Sequence, residues 1–445
     1  MKGVVGVLLV MVTLAYVDAD LKASLEKISR AEELVEILED LEVEDRADDN
    51  GLAMLADDLE EKEEETLEKM VLEALEEKEE EKMLLETLKE QEDNNDRTAR
   101  NAQPPHIIII LADDLGYNDV GYNKDGSGIE TPKIDALAAE GVILRNYYVQ
   151  PQCTPTRSQL LTGRYQIHTG LQHNVIEEIR PFCLPLNEKT IADKLREAGY
   201  KTHMVGKWHL GFFAYECTPI YRGFDSFLGF FAESTGYFDH IDSFQKSGID
   251  ISGYDFRRDN VTVWQDFANE YTTDIYTNRV KEIITSHNSN TPLFMFVSMQ
   301  LPHTPLEVPR SYQSPFNQIM NTKSRKKLAG MISAMDESVG EIVDSLKENG
   351  LYDNSVIFFS SDNGAPPRFG NNWPMRGGKG TLFEGGIHAV GFINSPLLPA
   401  AAKSTTNNAL IHVSDWFPTF VNLARGNLNG LAGPLDGFDM WTAIT

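Results

Sequence analysis

Cys153-Thr154-Pro155-Thr156-Arg157 places a thiol, a proline and an arginine in one short run. Proline suits the first turn of a helix, where it has no hydrogen bond to lose, so the spacing predicts a helix that starts at the cysteine. Residues four apart share a helix face, which brings Arg157 back beside Cys153. The free N–H groups of a helix start attract anions. The cluster therefore reads as a reactive side chain in a pocket for a negatively charged group. The competing reading is a buried structural thiol, a common fate of free cysteine. Against it, Cys-x-Pro-x-Arg should arise by chance in a chain of this length on the order of once in a hundred sequences.

A second set of residues offers oxygen donors. Asp113 and Asp114 stand together, as do Asp362 and Asn363. Such a set suits a hard divalent cation such as calcium or magnesium rather than zinc. Each pair alone is equally ordinary as a turn. A third set is cationic. Lys207 and His209 lie two apart in Gly206-Lys207-Trp208-His209-Leu210-Gly211, His303 lies in Leu301-Pro302-His303-Thr304-Pro305, and Lys379 follows Arg376-Gly377-Gly378. Each of these alone reads as a solvated or merely satisfied polar group. Together with Arg157 they would stabilise the oxygens of a transferring anion.

The elements that must position these residues are strands alternating with helices. Residues 106–111 are a fully apolar run, as expected for a strand buried on both faces. Helical spacing follows at 132–140, a strand at 142–149, a helix at 187–198 and strands at 201–205, 293–299 and 356–360, with a long helix at 323–349. This alternation predicts an α/β fold with a large, mainly parallel sheet flanked by helices. Five strand runs lead into Asp113, Cys153, Lys207, His303 and Asp362. In open α/β sheets, sites form at the carboxyl ends of strands.

The run from Cys153 to Arg157, with its tail Ser158-Gln159-Leu160-Leu161-Thr162-Gly163-Arg164, resembles the signature of the sulfatase family. The Asp-Asp after the first strand, the Gly-Lys-Trp-His-Leu-Gly element, the late histidine, the Asp-Asn-Gly and the final loop lysine fit it too. Residues 152–169, 199–211, 370–386 and 414–419 are most similar to the arylsulfatase B branch, and the resemblance covers residues 104–445. It implies an alkaline-phosphatase-like sandwich and conversion of Cys153 to formylglycine, whose hydrated aldehyde attacks sulfur. It implies one calcium ion held by Asp113, Asp114, Asp362 and Asn363, with the residue at 153 completing the shell. Lys207, Lys379 and His303 would hold the sulfate, with Lys379 or His303 protonating the leaving alcohol. Arg157 would aid attack, and His209 would help release sulfate. The implied substrates are aryl sulfates or the 4-sulfate of N-acetylgalactosamine in glycosaminoglycans, and the implied maturation partner is the formylglycine-generating enzyme. Two alternatives stand beside this: a phosphate-ester hydrolase of the same superfamily, and an inactive binder of sulfated glycans.

Composition bounds the rest. Net charge is −28, of which roughly −19 falls in residues 21–100, where about 30 acidic residues meet 11 basic ones. Such a balance argues against nucleic acid as a partner. Residues 1–19 read as a secretory signal, with Lys2 before an apolar stretch and a small-residue cleavage site, so a secreted or lysosomal destination is expected. No other apolar run is long enough to span a membrane. Residues 20–103 form an acidic arm and linker, either a coiled coil or pro-segment with a partner, or a solvated, partly helical arm without a core of its own. With Cys153 assigned its own role, Cys183 and Cys217 remain as a disulfide or as two free thiols. An oxidising compartment favours the bridge, worth roughly 3–4 kcal/mol in the chain-entropy model. Asn260-Val261-Thr262 is the one clear glycosylation sequon. The resemblance also implies a smaller C-terminal domain, of which these residues are expected to contain little.

Overall fold

The computed structural model of the chain describes residues 82–83, 103–123, 128–246, 248–318 and 320–445. The chain divides into two units, residues 1–96 and 97–445. The expected leader and nearly all of the acidic arm lie outside the described residues. The architecture below is that of the second unit.

Strand β1 (His106–Ala112) is buried along its whole length and lies at the middle of the sheet. It pairs in parallel with β9 (Leu293–Ser298) and β10 (Ser355–Ser361). Beyond β9 come β3 (Lys201–Lys207) and β4 (Ser226–Phe230), then the two-residue strands β7 (Arg257–Arg258) and β8 (Val261–Thr262). Beyond β10 come β11 (Gly391–Asn394), β2 (Val142–Tyr148) and β12 (Thr405–His412), which completes a ten-stranded sheet. A separate two-stranded hairpin joins β5 (Ile241–Lys246) to β6 (Ile249–Tyr254).

The sheet is mixed, which refines the expectation of a mainly parallel one. The pairings around β4, β7 and β8 and around β10, β11 and β2 are antiparallel, and the other five are parallel. Only β7 and β11 run against the rest. All five strands expected to carry chemistry therefore point their carboxyl ends the same way.

Alternation along β1 separates two cores. Ile108 and Ile110 face one that is closed by helices α1 (Pro132–Glu140), α4 (Thr272–Ser286) and α5 (Lys323–Glu348). Ile107, Ile109 and Leu111 face the other, closed by α2 (Cys153–Thr162), α3 (Ile191–Glu197) and α6 (Trp416–Leu423). The result is a helix–sheet–helix sandwich. Helix α3 is shorter than the 187–198 expected. Its start is set by a capping box, in which Thr190 accepts from Asp193 N and the Asp193 carboxylate accepts from Thr190 N. Among the described residues, no helix is long and apolar enough to cross a membrane.

Candidate active site

The loop after β1 carries Asp113 and Asp114. Asp113 N donates to Leu301 O at 2.9 Å, which ties this loop to the one after β9. In an extended chain, successive side chains point to opposite sides. Asp114 instead adopts a left-handed backbone with φ of +68°, and ligand atoms of both aspartates come within one cluster. A non-glycine residue in this region carries strain that the surroundings must hold.

Helix α2 starts at Cys153, as the proline spacing predicts, and every residue in it is buried. Cys153 Sγ lies 3.4 Å from Asp113 Oδ1. One turn on, the Arg157 guanidinium donates to Asp362 Oδ2 from Nε at 3.1 Å and from Nη2 at 2.8 Å. Its Nη1 reaches Lys207 O at 3.2 Å and Ser298 Oγ at 2.5 Å. Lys207, the last residue of β3, is fully buried with Nζ 2.6 Å from Asp113 Oδ2. Strands β3 and β9 approach closely at this point. A Cβ on Gly206, whose φ is +111°, would lie 1.8 Å from Ser298 O, so only glycine fits.

The remaining groups sit on loops. The turn before His303 is closed by His303 N donating to Gln300 O at 2.9 Å. The Tyr237 hydroxyl lies 2.9 Å from Gln300 O and 3.0 Å from His303 O and donates to this pair of carbonyls. His303 Nδ1 is 2.7 Å from Thr304 O, so this nitrogen carries the proton. The other nitrogen, Nε2, then accepts from Lys379 Nζ at 3.0 Å. Lys379 Nζ is also 2.8 and 2.9 Å from the two oxygens of Asp114. Asp362 Oδ1 accepts from Asp114 N at 3.2 Å, and Asn363 Nδ2 donates to Asp114 Oδ1 at 2.6 Å.

All ten residues singled out from the sequence thus meet at one rim. The ligand atoms of Asp113, Asp114, Cys153 and His303 lie within 4.8 Å of one another and could hold a metal ion. This grouping adds His303 to the expected set. Asp362 and Asn363 reach it through their contacts with Asp114. Two features mark the site as built for something more than these contacts. Asn363 Oδ1 and both ring nitrogens of His209 are buried with no hydrogen-bond partner, and buried polar atoms are ordinarily satisfied.

Electrostatics follow from the packing. Burial would push the Asp113 carboxyl up, but the Lys207 and Arg157 charges outweigh it and hold it below the usual carboxylate range. Burial and the Asp362 charge push the Cys153 thiol well up, so the residue is a neutral thiol rather than a thiolate. Burial and the surrounding cations, Lys207 first among them, push His209 well down, so its ring is neutral. Burial works against the charged form of Lys379, yet the neighbouring carboxylates of Asp114 and Asp113 raise it well above an ordinary lysine.

Three groups escaped sequence reasoning. Ser298 joins Arg157 to the Lys207 carbonyl, to which it donates at 2.7 Å. Its only sequence signal is a serine closing an apolar strand. Tyr237 has no such signal. Asp119 accepts from Asn371 N at 2.9 Å and pairs with Arg325 at 2.6 Å, while Arg325 Nη1 donates to Phe369 O at 3.1 Å. This pins the loop carrying Asp114 to the segment leading into Lys379. Away from the rim, a disulfide joins Cys183 to Cys217. Asn260 is half-buried in the β7–β8 turn, and its Oδ1 accepts from Thr218 Oγ1 at 2.9 Å.

The sulfatase family model matches residues 105–426. The chain belongs to the sulfatase family. It is 48% identical over 349 residues to arylsulfatase J of Mus musculus, covering 78% of this chain and 57% of that protein. It is 32% identical over 365 residues to N-acetylgalactosamine-6-sulfatase of Mus musculus, covering 76% of this chain and 66% of that one. The chain therefore spans less than two thirds of the length of these relatives. Among solved structures, Ps i-CgsB in complex with k-i-k-neocarrahexaose is similar at 34% identity and a TM-score of 0.68, over 77% of this chain and 76% of that one.

Proposed function

We propose that this chain hydrolyses sulfate esters, with Cys153 converted to formylglycine and one calcium ion beside it. The observation that carries the reading is the position of residue 153. Its side chain stands 3.4 Å from Asp113 within a cluster of ligand atoms. The thiol there is held neutral and is a poor nucleophile as it stands. A hard divalent cation fits the residues present. Asp113, Asp114, Asp362 and Asn363 would hold it, and the orphaned Asn363 Oδ1 would gain a partner.

When bound, the cation supplies positive charge that activates the aldehyde hydrate, the nucleophile toward sulfur. The chain's own residues do the rest. The three carboxylates of Asp113, Asp114 and Asp362 are balanced by Arg157, Lys207 and Lys379. A doubly charged cation therefore leaves the site net positive, which suits a sulfate monoester. Lys207, Lys379 and His303 bind the sulfate oxygens. Lys379 gives its proton to the leaving alcohol, because the His303 Nε2 lone pair faces Lys379 and has no proton to offer. The neutral, unpartnered ring of His209 accepts the proton released when sulfate leaves. Arg157 positions Asp362.

The substrate we assign is a sulfated glycan, namely the 4-sulfate of N-acetylgalactosamine in glycosaminoglycans, on the likeness to the arylsulfatase B branch. The destination we assign is the secretory pathway, lysosomal or extracellular, with the formylglycine-generating enzyme acting during maturation. The test is sulfate release from an aryl sulfate by protein made in a secretory host able to form formylglycine. Turnover should stop with a chelator and return with calcium, and the matching aryl phosphate should react at least about 100-fold more slowly. Faster turnover of the phosphate, or indifference to the chelator, would contradict the proposal.

A further inference from the structure

The His209 ring is buried with no hydrogen-bond partner, so nothing grips it directly. Its backbone is left-handed, with φ of +56°. A non-glycine residue holds that conformation only when its surroundings impose it. On one side the main chain is fixed by β4 and by the start of α2. Trp208 N donates to Phe230 O at 3.0 Å and His209 N to Phe231 O at 3.1 Å. The His209 carbonyl accepts from Thr154 Oγ1 at 3.0 Å.

The other side depends on the two neighbours of His209. The Trp208 indole is buried and packs edge-on against Phe224. Its Nε1 lies 3.1 Å from both Gly211 O and Cys217 O and donates to this pair of carbonyls. Cys217 is bridged to Cys183, and Leu184 N, next to the bridge, donates to Leu210 O at 2.9 Å. Gly211 lies so close to the bridge that an added Cβ would stand 2.5 Å from Cys183 Cβ. A buried indole N–H needs an acceptor, and any carbonyl would satisfy it. Here the acceptors are the carbonyl two residues past His209 and that of a bridged cysteine. The bond that satisfies the indole therefore also sets the course of the chain at His209.

We propose that Trp208 is a positioning residue for His209, with the Cys183–Cys217 disulfide as its anchor. The inference rests on the sulfatase reading above. In that reading His209 takes the proton of the second hydroxyl on residue 153 while the carbonyl re-forms and the C–O bond to sulfate breaks, its electron pair leaving with sulfate. The alcohol has already departed, its oxygen protonated by Lys379. A displaced His209 ring therefore slows sulfate release and leaves one round of alcohol release intact.

The test is rapid mixing of excess aryl sulfate with Trp208→Phe, which keeps an aromatic ring and deletes the N–H, and with the double variant Cys183→Ala, Cys217→Ala. Each should release about one phenol per active site quickly, then turn over on the order of 10- to 100-fold more slowly than the parent. Adding Trp208→Phe to His209→Ala should lower the rate no further, because residues that act as a unit are not additive. His106→Gln, which disturbs a buried contact at the far end of the sheet, should show no slowing. Hydrogen exchange read by mass spectrometry needs no turnover: the segment 208–217 should exchange faster in Trp208→Phe and in the double cysteine variant than in the parent. Phenol and sulfate release falling together without a burst, a further loss in the combined variant, or unchanged exchange in 208–217 would each overturn the proposal. A parent that turns over no sulfate ester, with the exchange result as expected, would refute the sulfatase reading and leave the positioning of His209 standing.

Discussion

The two ends of the sheet handle polar groups in opposite ways. At the amino ends, His106 opens β1 and His203 lies near the start of β3. Each is satisfied locally: His106 Nδ1 accepts from Leu293 N at 3.0 Å, and His203 Nδ1 is 2.7 Å from Ser226 Oγ. Burial pushes both rings down to about 4, so both are neutral at ordinary pH. At the carboxyl ends, Asp113, Asp114, Asp362, Arg157, Lys207 and Lys379 crowd together as charges, and His209 and Asn363 keep buried atoms without partners. These two histidines find partners within the fold, while His209 and Asn363 have polar atoms left over. A polar group that helps a protein fold is closed on itself. A polar group kept for chemistry is left open, and its strain and desolvation are carried by the rest of the sandwich.

This contrast predicts how each end should respond to substitution. The largest effect belongs to Cys153→Ala, which should lower sulfate release on the order of 10⁴-fold or more while leaving the thermal midpoint nearly unchanged. Full activity in that variant would remove residue 153 from the chemistry. Next is Arg157→Ala, which strips the buried Asp362 carboxylate of its guanidinium. Chemical denaturation should show a loss of about 3–5 kcal/mol, because a buried charge is then left uncompensated. Little change in stability would mean that the carboxyl-end charges are not interdependent. The smallest effect belongs to the amino end. Its histidines have folded-state values below the ordinary 6.5, so the stability they contribute is present above 6.5 and is lost as pH falls toward 4. Melting temperatures followed from pH 7 to pH 4.5 should fall, and His106→Gln should flatten that slope by on the order of 5 °C without altering sulfate release at pH 7. An unchanged slope would show that the amino end is not the acid-sensitive one.

Much of this organisation can be read from the chain itself. The apolar run of β1, the helical spacing of α1 and α5 and the strand ends that lead into Asp113, Cys153, Lys207, His303 and Asp362 all depend on local pattern. Pro155 marks the start of α2 because its effect is confined to one turn. The rest depends on contacts between residues far apart in sequence. Ser298 matters because β3 and β9 place Gly206 against it, and nothing near residue 298 announces that. The support given to His303 by Tyr237 spans 66 residues. The left-handed backbones at Asp114 and His209 are imposed by surrounding loops. The reversed strand β11 has four residues, too few for a periodic pattern, so the mixed character of the sheet is hidden.

The central claim is that the side chain at 153 is an aldehyde facing the carboxylates of Asp113, Asp114 and Asp362. Mass spectrometry of the peptide containing residue 153, from folded and active exported protein, tests it most directly. The predicted result is the mass of formylglycine or its hydrate in place of cysteine. An unmodified thiol at 153 in protein that still releases sulfate would contradict it.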